Sequence, residues 1–265
     1  MAQAGSSMLA KHGGVTGVSA IIDEIYRTRV VRDARGHEYR LSSEVDSAEG
    51  EYLHHLISAD RSITKTLEVG CAFGLSSLHI CEALRDRPGA AHTIIDPKQM
   101  DVWHGVGVAH LERAGIDFFD LISEPSELAL PNLLRRQPGS FDFAFIDGWH
   151  TFDQTMLDLF YANRLVRVGG YIVIDDCNWA GVSAAVSYYM NYPAFEWLRK
   201  PALGTRTWRP RLARAGRAAL PPAAARMILP VSVYDRVYRR MCYPSMVAIK
   251  KVAEDTRGWA WFKGF

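Results

Sequence analysis

From Thr66 onward the chain alternates short apolar runs with segments of helical period. The runs are Thr66–Val69, His92–Ile95, Phe118–Ile122, Phe141–Ile146 and Tyr171–Ile174. Between them lie helical patterns near Leu75–Arg85, Val102–Ala114, Ser126–Arg135 and Phe152–Val166, and another follows near Val182–Met190. This alternation restricts the fold to βαβ units around a parallel sheet, because parallel neighbours need a long crossover and a helix supplies it. Two further strand-like runs, Ala194–Leu198 and Met246–Val252, close the order. Upstream, Ile21, Ile22, Ile25, Tyr26 and Val30 recur at helical spacing within Val18–Val31, and Tyr52, Leu53, Leu56 and Ile57 do so within Glu49–Ala59. We therefore expect an N-terminal helical extension over residues 1–60 and one large α/β domain over 61–265.

The carboxyl ends of parallel strands face the ligand crevice of such a sheet. The fourth run, FDFAFID, ends at Asp147, and the fifth, YIVIDD, ends at Asp175 and Asp176. Three carboxylates on one edge repel one another unless a cation lies between them, and a divalent metal bound by Asp147, Asp175 and Asp176 is the expectation. Magnesium suits it, because it takes oxygen ligands and keeps open positions for substrate oxygens. Their spacing also allows Asp147 to be a turn residue before Gly148, and the Asp175-Asp176 pair to cap the next helix without metal.

His150 follows Asp147 by three residues. Thr151-Phe152-Asp153-Gln154 fits a capping box, with Thr151 as N-cap and Gln154 reaching back, so a helix should begin at Phe152. The metal and the helix N-terminus both disfavour an imidazolium, so His150 should be neutral near pH 7 and serve as a general base, or else hydrogen-bond a substrate. Trp149 either faces the acceptor or joins the core. Asp153 and Asp158 read as helix-surface or helix-start charges.

The first strand runs into Glu68-Val69-Gly70-Cys71-Ala72-Phe73-Gly74, where Gly70 permits a positive-φ turn and Gly74 a close approach of the backbone to a ligand. The spacing differs from GxGxxG, which argues against a dinucleotide cradle. The loop resembles the E/D-x-G-x-x-x-G motif of class I S-adenosylmethionine-dependent methyltransferases. That resemblance implies a Rossmann-like seven-stranded sheet in the order 3-2-1-4-5-7-6 with the last strand antiparallel. It also implies S-adenosylmethionine as methyl donor, anchored through Glu68, Gly70, Cys71, Gly74, Ser76 and Asp147, with Asp96 on the ribose hydroxyls and Ser126 on the adenine side. Asp96 as a local cap before Pro97 and Ser126 as a helix cap are the plainer readings.

Asp147, His150 and the pair Asp175-Asp176, with Gly181-Val182 and Ala185 beyond it, resemble the metal-dependent O-methyltransferases. The likeness is greatest to bacterial macrolide-sugar and polysaccharide enzymes, because the catechol type carries Lys at the base position and Asp-Asn in place of Asp175-Asp176. It implies a hydroxyl-bearing small molecule or glycan as acceptor. Catechol-type chemistry, a nicotinamide oxidoreductase and a non-catalytic binding protein on a similar sheet are the alternatives.

Charge isolates one further segment. Arg199 to Arg240 holds 11 Lys and Arg and one acid, Asp235, leaving 20 bases and 28 acids elsewhere in the 265 residues. Within an insertion over 199–245, Arg alternates with Leu, Ile, Val and Tyr and is interrupted by Pro221, Pro222 and Pro230, which suggests short amphipathic helices. They are expected to cover the acceptor site, dock a second copy in a homo-oligomer, or touch an anionic membrane surface through 199–240. Nucleic acid is not an expected partner, because the remainder is acidic and an NPPY-like signature is absent. No apolar run is long enough to span a membrane and no signal-peptide segment opens the chain, so a cytoplasmic location is expected. Cys71, Cys81, Cys177 and Cys242 show no CxxC or zinc-ligand spacing.

Overall fold

In a computed structural model, residues 17–198 and 245–263 are described. The basic insertion, with its expected helices, membrane contact and docking surface, lies outside them, as does Cys242.

Helix α1 (Val18–Thr28) ends earlier than its periodicity suggests. Arg29 takes a left-handed φ of 57° and its N–H bonds to Ile25 O, which closes the helix and lets the β-branched Val30 and Val31 extend. A hairpin results, β1 (Val30–Arg32) with β2 (Glu38–Arg40), that the sequence pattern did not disclose. Helix α2 (Ser47–Ala59) opens with a complete capping box between Asp46 and Glu49.

The parallel core follows as β3 (Lys65–Val69), α3 (Leu75–Leu84), β4 (Ala91–Ile95), α4 (Val106–Arg113), β5 (Phe119–Ile122), α5 (Ser126–Arg136), β6 (Phe141–Ile146), α6 (Phe152–Leu165) and β7 (Val166–Ile174). After α7 (Ala180–Tyr189) come β8 (Phe195–Trp197) and β9 (Val247–Lys251). The sheet order is β5-β4-β3-β6-β7-β9-β8, the expected 3-2-1-4-5-7-6, and β9 lies antiparallel to both neighbours.

Both faces of the sheet are covered, which is why its central strands read as continuous apolar runs. Successive residues alternate faces. Ala144 and Ile146 of β6, with Ile172 and Ile174 of β7, pack with Leu130, Leu133, Leu159 and Ala162 from α5 and α6. Phe143, Phe145 and Val173 face the other way, onto Ile80 and Leu84 of α3 and Leu53 and Ile57 of α2. The N-terminal α2 thus shares the core of the sheet. At the amino edge of β6, Asp142 Oδ2 accepts from the N–H groups of Thr64 and Lys65 at 2.8 and 2.9 Å, so this acid ties β6 to the start of β3 at the opposite end from Asp147.

Candidate active site

Adjacent parallel strands bring the glycine loop and the carboxylate edge together. β3 pairs with β6 in the register Val69↔Ile146, so Gly70 and Asp147 leave the sheet side by side. Asp147 N–H donates to Val69 O at 2.8 Å, and Gly70 N–H donates to Ile95 O of β4 at 2.9 Å. Gly70 has φ +88°, and a Cβ there would collide with the carbonyl oxygen of Asp147. Gly74 lies at φ +81°, and a Cβ on it would lie 2.8 Å from Cα of Gly107 in α4. Its bareness serves the seating of α4 against the loop.

Asp96, at the end of β4, braces this loop. Its Oδ2 accepts from the N–H groups of Cys71 and Ala72 at 3.1 and 2.9 Å, and its Oδ1 from Lys98 N–H at 2.8 Å. Local capping and a long-range brace are thus combined in one buried carboxylate. Cys71 and Ser76 line a cleft with Asp147, and Ser43, Glu44 and Val45 from the segment ahead of α2 close its other side. No motif marked that segment. Its one local signal is the φ of 51° at Ser43, which only the folded chain reveals.

At the carboxylate edge, Asp147, His150 and Asp176 each offer one donor atom, all within 4.8 Å of one another. His150 Nε2 lies 3.1 Å from Asp147 Oδ1 and 3.3 Å from Asp176 Oδ2. The cluster differs from the expected acid triad in one member. Asp175 is buried behind the cluster, and its Oδ1 accepts from Asp176 N–H at 2.7 Å. Asp176 reaches the cluster through a left-handed backbone, φ 51°.

Thr151 is the N-cap of α6, accepting from Gln154 N–H at 3.4 Å. The capping box is only half made: Thr151 N–H donates to Trp149 O at 2.8 Å, and the Gln154 side chain is turned to Ser126, donating to its Oγ at 2.8 Å. Ser126 in turn donates to Asp158 Oδ1 at 2.6 Å, and the N-cap of α5 is Pro125, so Ser126 is not that helix's cap. Asp158 is not a surface charge: it is 1% exposed, beneath the turn at Gly148. Burial pushes its carboxyl up to about 7. The folded state then holds a proton that the unfolded chain releases above about pH 4, so stability falls as pH rises from about 4 to 7. Asp158→Asn should remove that slope and stabilise the protein by a few kcal/mol at pH 8, on the order of that linkage. Urea unfolding of both proteins at pH 5 and pH 8 measures it.

With no cation on the carboxylates, the electrostatics of His150 are set by its acid neighbours. Its hydrogen bond to Asp147 raises the imidazole pKa against the effect of burial, with the charge of Asp176 adding to the rise. Desolvation pushes Asp147 up to about 6, opposed by His150 and reinforced by the charges of Asp176 and Glu68. Burial and then the nearby Asp147 and Glu49 charges also raise Asp175 well above the carboxylate range.

Two large aromatics beside this cluster are exposed. Trp149 is 70% exposed, which excludes a core role, and Trp179, 54% exposed, lies with its ring 5.3 Å from that of His150. Trp179 carried no signal in the sequence, being 29 residues from His150 along the chain.

A family model described as a methyltransferase domain matches residues 67–177, the stretch from the glycine loop to just past Asp176. The chain is 27% identical over 190 residues to the caffeoyl-CoA O-methyltransferase of Stellaria longipes, a match spanning 61% of this chain and 76% of that protein. The chain is an S-adenosylmethionine-dependent O-methyltransferase. It is also 32% identical over 130 residues to tricin synthase 1 of Oryza sativa subsp. japonica, covering 45% of this chain and 48% of that one. Among solved structures, the O-methyltransferase from Bacillus cereus in complex with S-adenosylhomocysteine shares the fold at a TM-score of 0.55. It has 15% identity, with 72% of this chain and 84% of that chain covered. TomG of Streptomyces achromogenes, in complex with S-adenosylmethionine, gives a TM-score of 0.54 at 20% identity, covering 75% and 87%.

The methyltransferase has groups that fit its donor. Glu68 is fully buried, and its Oε1 has no hydrogen-bond partner among the described residues, so one oxygen is left for a ligand. The edge fits a divalent cation by its chemistry, since the carboxylates of Asp147 and Asp176 converge there, with His150 beside them, and desolvated acids of like charge are relieved by a cation. Among the described residues, no helix is long and apolar enough to cross a membrane.

Proposed function

We propose that this methyltransferase transfers the methyl group to a hydroxyl of a small-molecule or glycan acceptor, foremost a saccharide, in a divalent-metal-dependent reaction with His150 as general base. The observation that carries this reading is the convergence of Asp147, His150 and Asp176 on strand ends that abut the glycine loop. Asp147 and Asp176 would hold the metal, with Asp175 behind them. When bound, a divalent cation supplies Lewis acidity toward an acceptor oxygen. Glu68, Gly70, Cys71, Gly74, Ser76 and Asp96 would hold the donor, with Ser126 toward the adenine side. His150 takes the acceptor proton, and Trp149 and Trp179 offer flat faces to the acceptor ring.

A sugar hydroxyl is a far weaker acid than a phenol, which ionises near 10, so it depends more on a base of this kind. The second reading is a phenolic acceptor of the catechol type, favoured by the likeness to a plant caffeoyl-CoA O-methyltransferase. Release of S-adenosylhomocysteine from matched panels of sugars and phenols separates the two. Excess chelator is expected to abolish turnover, magnesium to restore it, and Asp176→Asn to raise the magnesium needed for half-maximal rate by at least tenfold, while S-adenosylhomocysteine binding stays unchanged. Full turnover in chelator overturns the metal assignment.

A further inference from the structure

Beneath the glycine loop runs a buried polar chain in which His92, Thr66 and Ser77 have as yet no assigned role. His92 of β4 pairs in register with Thr66 of β3, and its ring spans two residues of that strand. Nδ1 lies 2.8 Å from Thr66 Oγ1 and Nε2 lies 2.9 Å from Glu68 Oε2. From the other side, Ser77 of α3 donates its hydroxyl proton to the same Glu68 Oε2, and Cys71 Sγ lies 3.3 Å from Ser77 Oγ. The side chains of His92 and Glu68 are both 0% exposed.

The asymmetry of this arrangement is its informative feature. Both protein donors fall on Oε2, and Oε1 has none among the described residues. A buried carboxylate is tolerated when its oxygens are paired. An Arg in place of His92 would have forked across both oxygens and filled the acid. An imidazole fills one. Oε2 accepts the only hydroxyl proton of Ser77, and His92 Nε2 is the ring nitrogen placed to donate beside it, while Nδ1 shares a hydrogen bond with Thr66 Oγ1, which also lies 3.4 Å from Ala91 O.

We infer that His92 is a positioning residue for the methyl donor. By donating from Nε2 to Glu68 Oε2, it fixes the orientation of the acid so that Oε1, unpartnered among the described residues, is left for a cationic ligand group, the ammonium at the amino-acid end of S-adenosylmethionine. The inference rests on the reading that the glycine loop holds that end of the cofactor. His92 touches neither the cofactor nor the acceptor and acts only through Glu68.

The test uses the full chain and calorimetry with two probes, S-adenosylhomocysteine and 5′-methylthioadenosine, which lacks the amino-acid end. His92→Phe should weaken S-adenosylhomocysteine tenfold or more and 5′-methylthioadenosine less than twofold. His92→Gln, whose amide N–H preserves the donation, should recover most of the affinity, with a residual loss of about threefold. In a Glu68→Gln background, His92→Phe should add less than twofold. Parallel losses for both probes would mean a merely structural role and overturn the inference, as would unchanged S-adenosylhomocysteine affinity in folded His92→Phe. If His92→Phe does not fold, the selective threefold loss in His92→Gln decides, and its absence overturns the inference. Wild-type protein that binds 5′-methylthioadenosine as tightly as S-adenosylhomocysteine would instead overturn the placement of the amino-acid end, and the role of His92 with it.

Discussion

His150→Ala is expected to lower kcat by about 10²- to 10⁴-fold, the range for loss of a positioned general base, while S-adenosylhomocysteine affinity changes less than twofold. The separation follows from geometry: His150 contacts Asp147 and Asp176 at the carboxylate edge, whereas the groups around the glycine loop belong to β3, α3 and β4. The pH profile adds a second reading of the same residue. Asp147 raises the imidazole pKa in the metal-free protein, so the rising limb of kcat/KM should lie above the ordinary histidine value of about 6.5 at limiting magnesium. It should move downward as magnesium saturates, because a cation on the two carboxylates removes the attraction for the imidazolium proton. Stopped assays from pH 5.5 to 9 at two magnesium concentrations test both points. An unchanged turnover in His150→Ala rejects the base. A limb that ignores magnesium rejects the shared site.

Gly70→Ala should be the most damaging glycine-to-alanine change among the described residues. At φ +88° an L-residue is strained by about 1–2 kcal/mol, and the added Cβ would also collide with the Asp147 carbonyl. Neither side can retreat. Gly70 is hydrogen-bonded to Ile95 O, Cys71 and Ala72 to Asp96, and Asp147 to Val69 O. A total cost of roughly 3–5 kcal/mol, with a fall in Tm of roughly 10 °C, is expected. Turnover should fall even where the variant is folded, because relief of the clash moves either the donor loop or Asp147. Thermal melts with calorimetry on S-adenosylhomocysteine measure the two parts. A variant melting within 2 °C of the parent with normal turnover would show that the two strand ends are not pressed together in solution.

The residues whose neighbours are close in sequence were readable. Phe141–Ile146 was read as a strand with its observed bounds, α6 begins at Phe152 behind the Thr151 cap, and Asp147 and Asp176 sit at strand ends as their positions imply. Asp158 was not readable, because position seven of a helix looks the same whether it faces water or a serine 32 residues upstream. Gln154 was half readable: its cap contact is local, but its amide went to Ser126 on another helix.

His92 makes the same point at the donor site. In the sequence it is a histidine within an apolar run, and only the pairing of β4 with β3 sets it against Glu68. Periodicity and strand-end position are properties of neighbouring residues, so the sequence alone determined the sheet, its order through the family resemblance, and which edge carries the chemistry. The partners of buried polar groups come from distant segments whose approach depends on packing. The tertiary structure alone therefore decided that His150 lies between two carboxylates, that Asp96 braces the loop, and that Glu68 keeps one oxygen free.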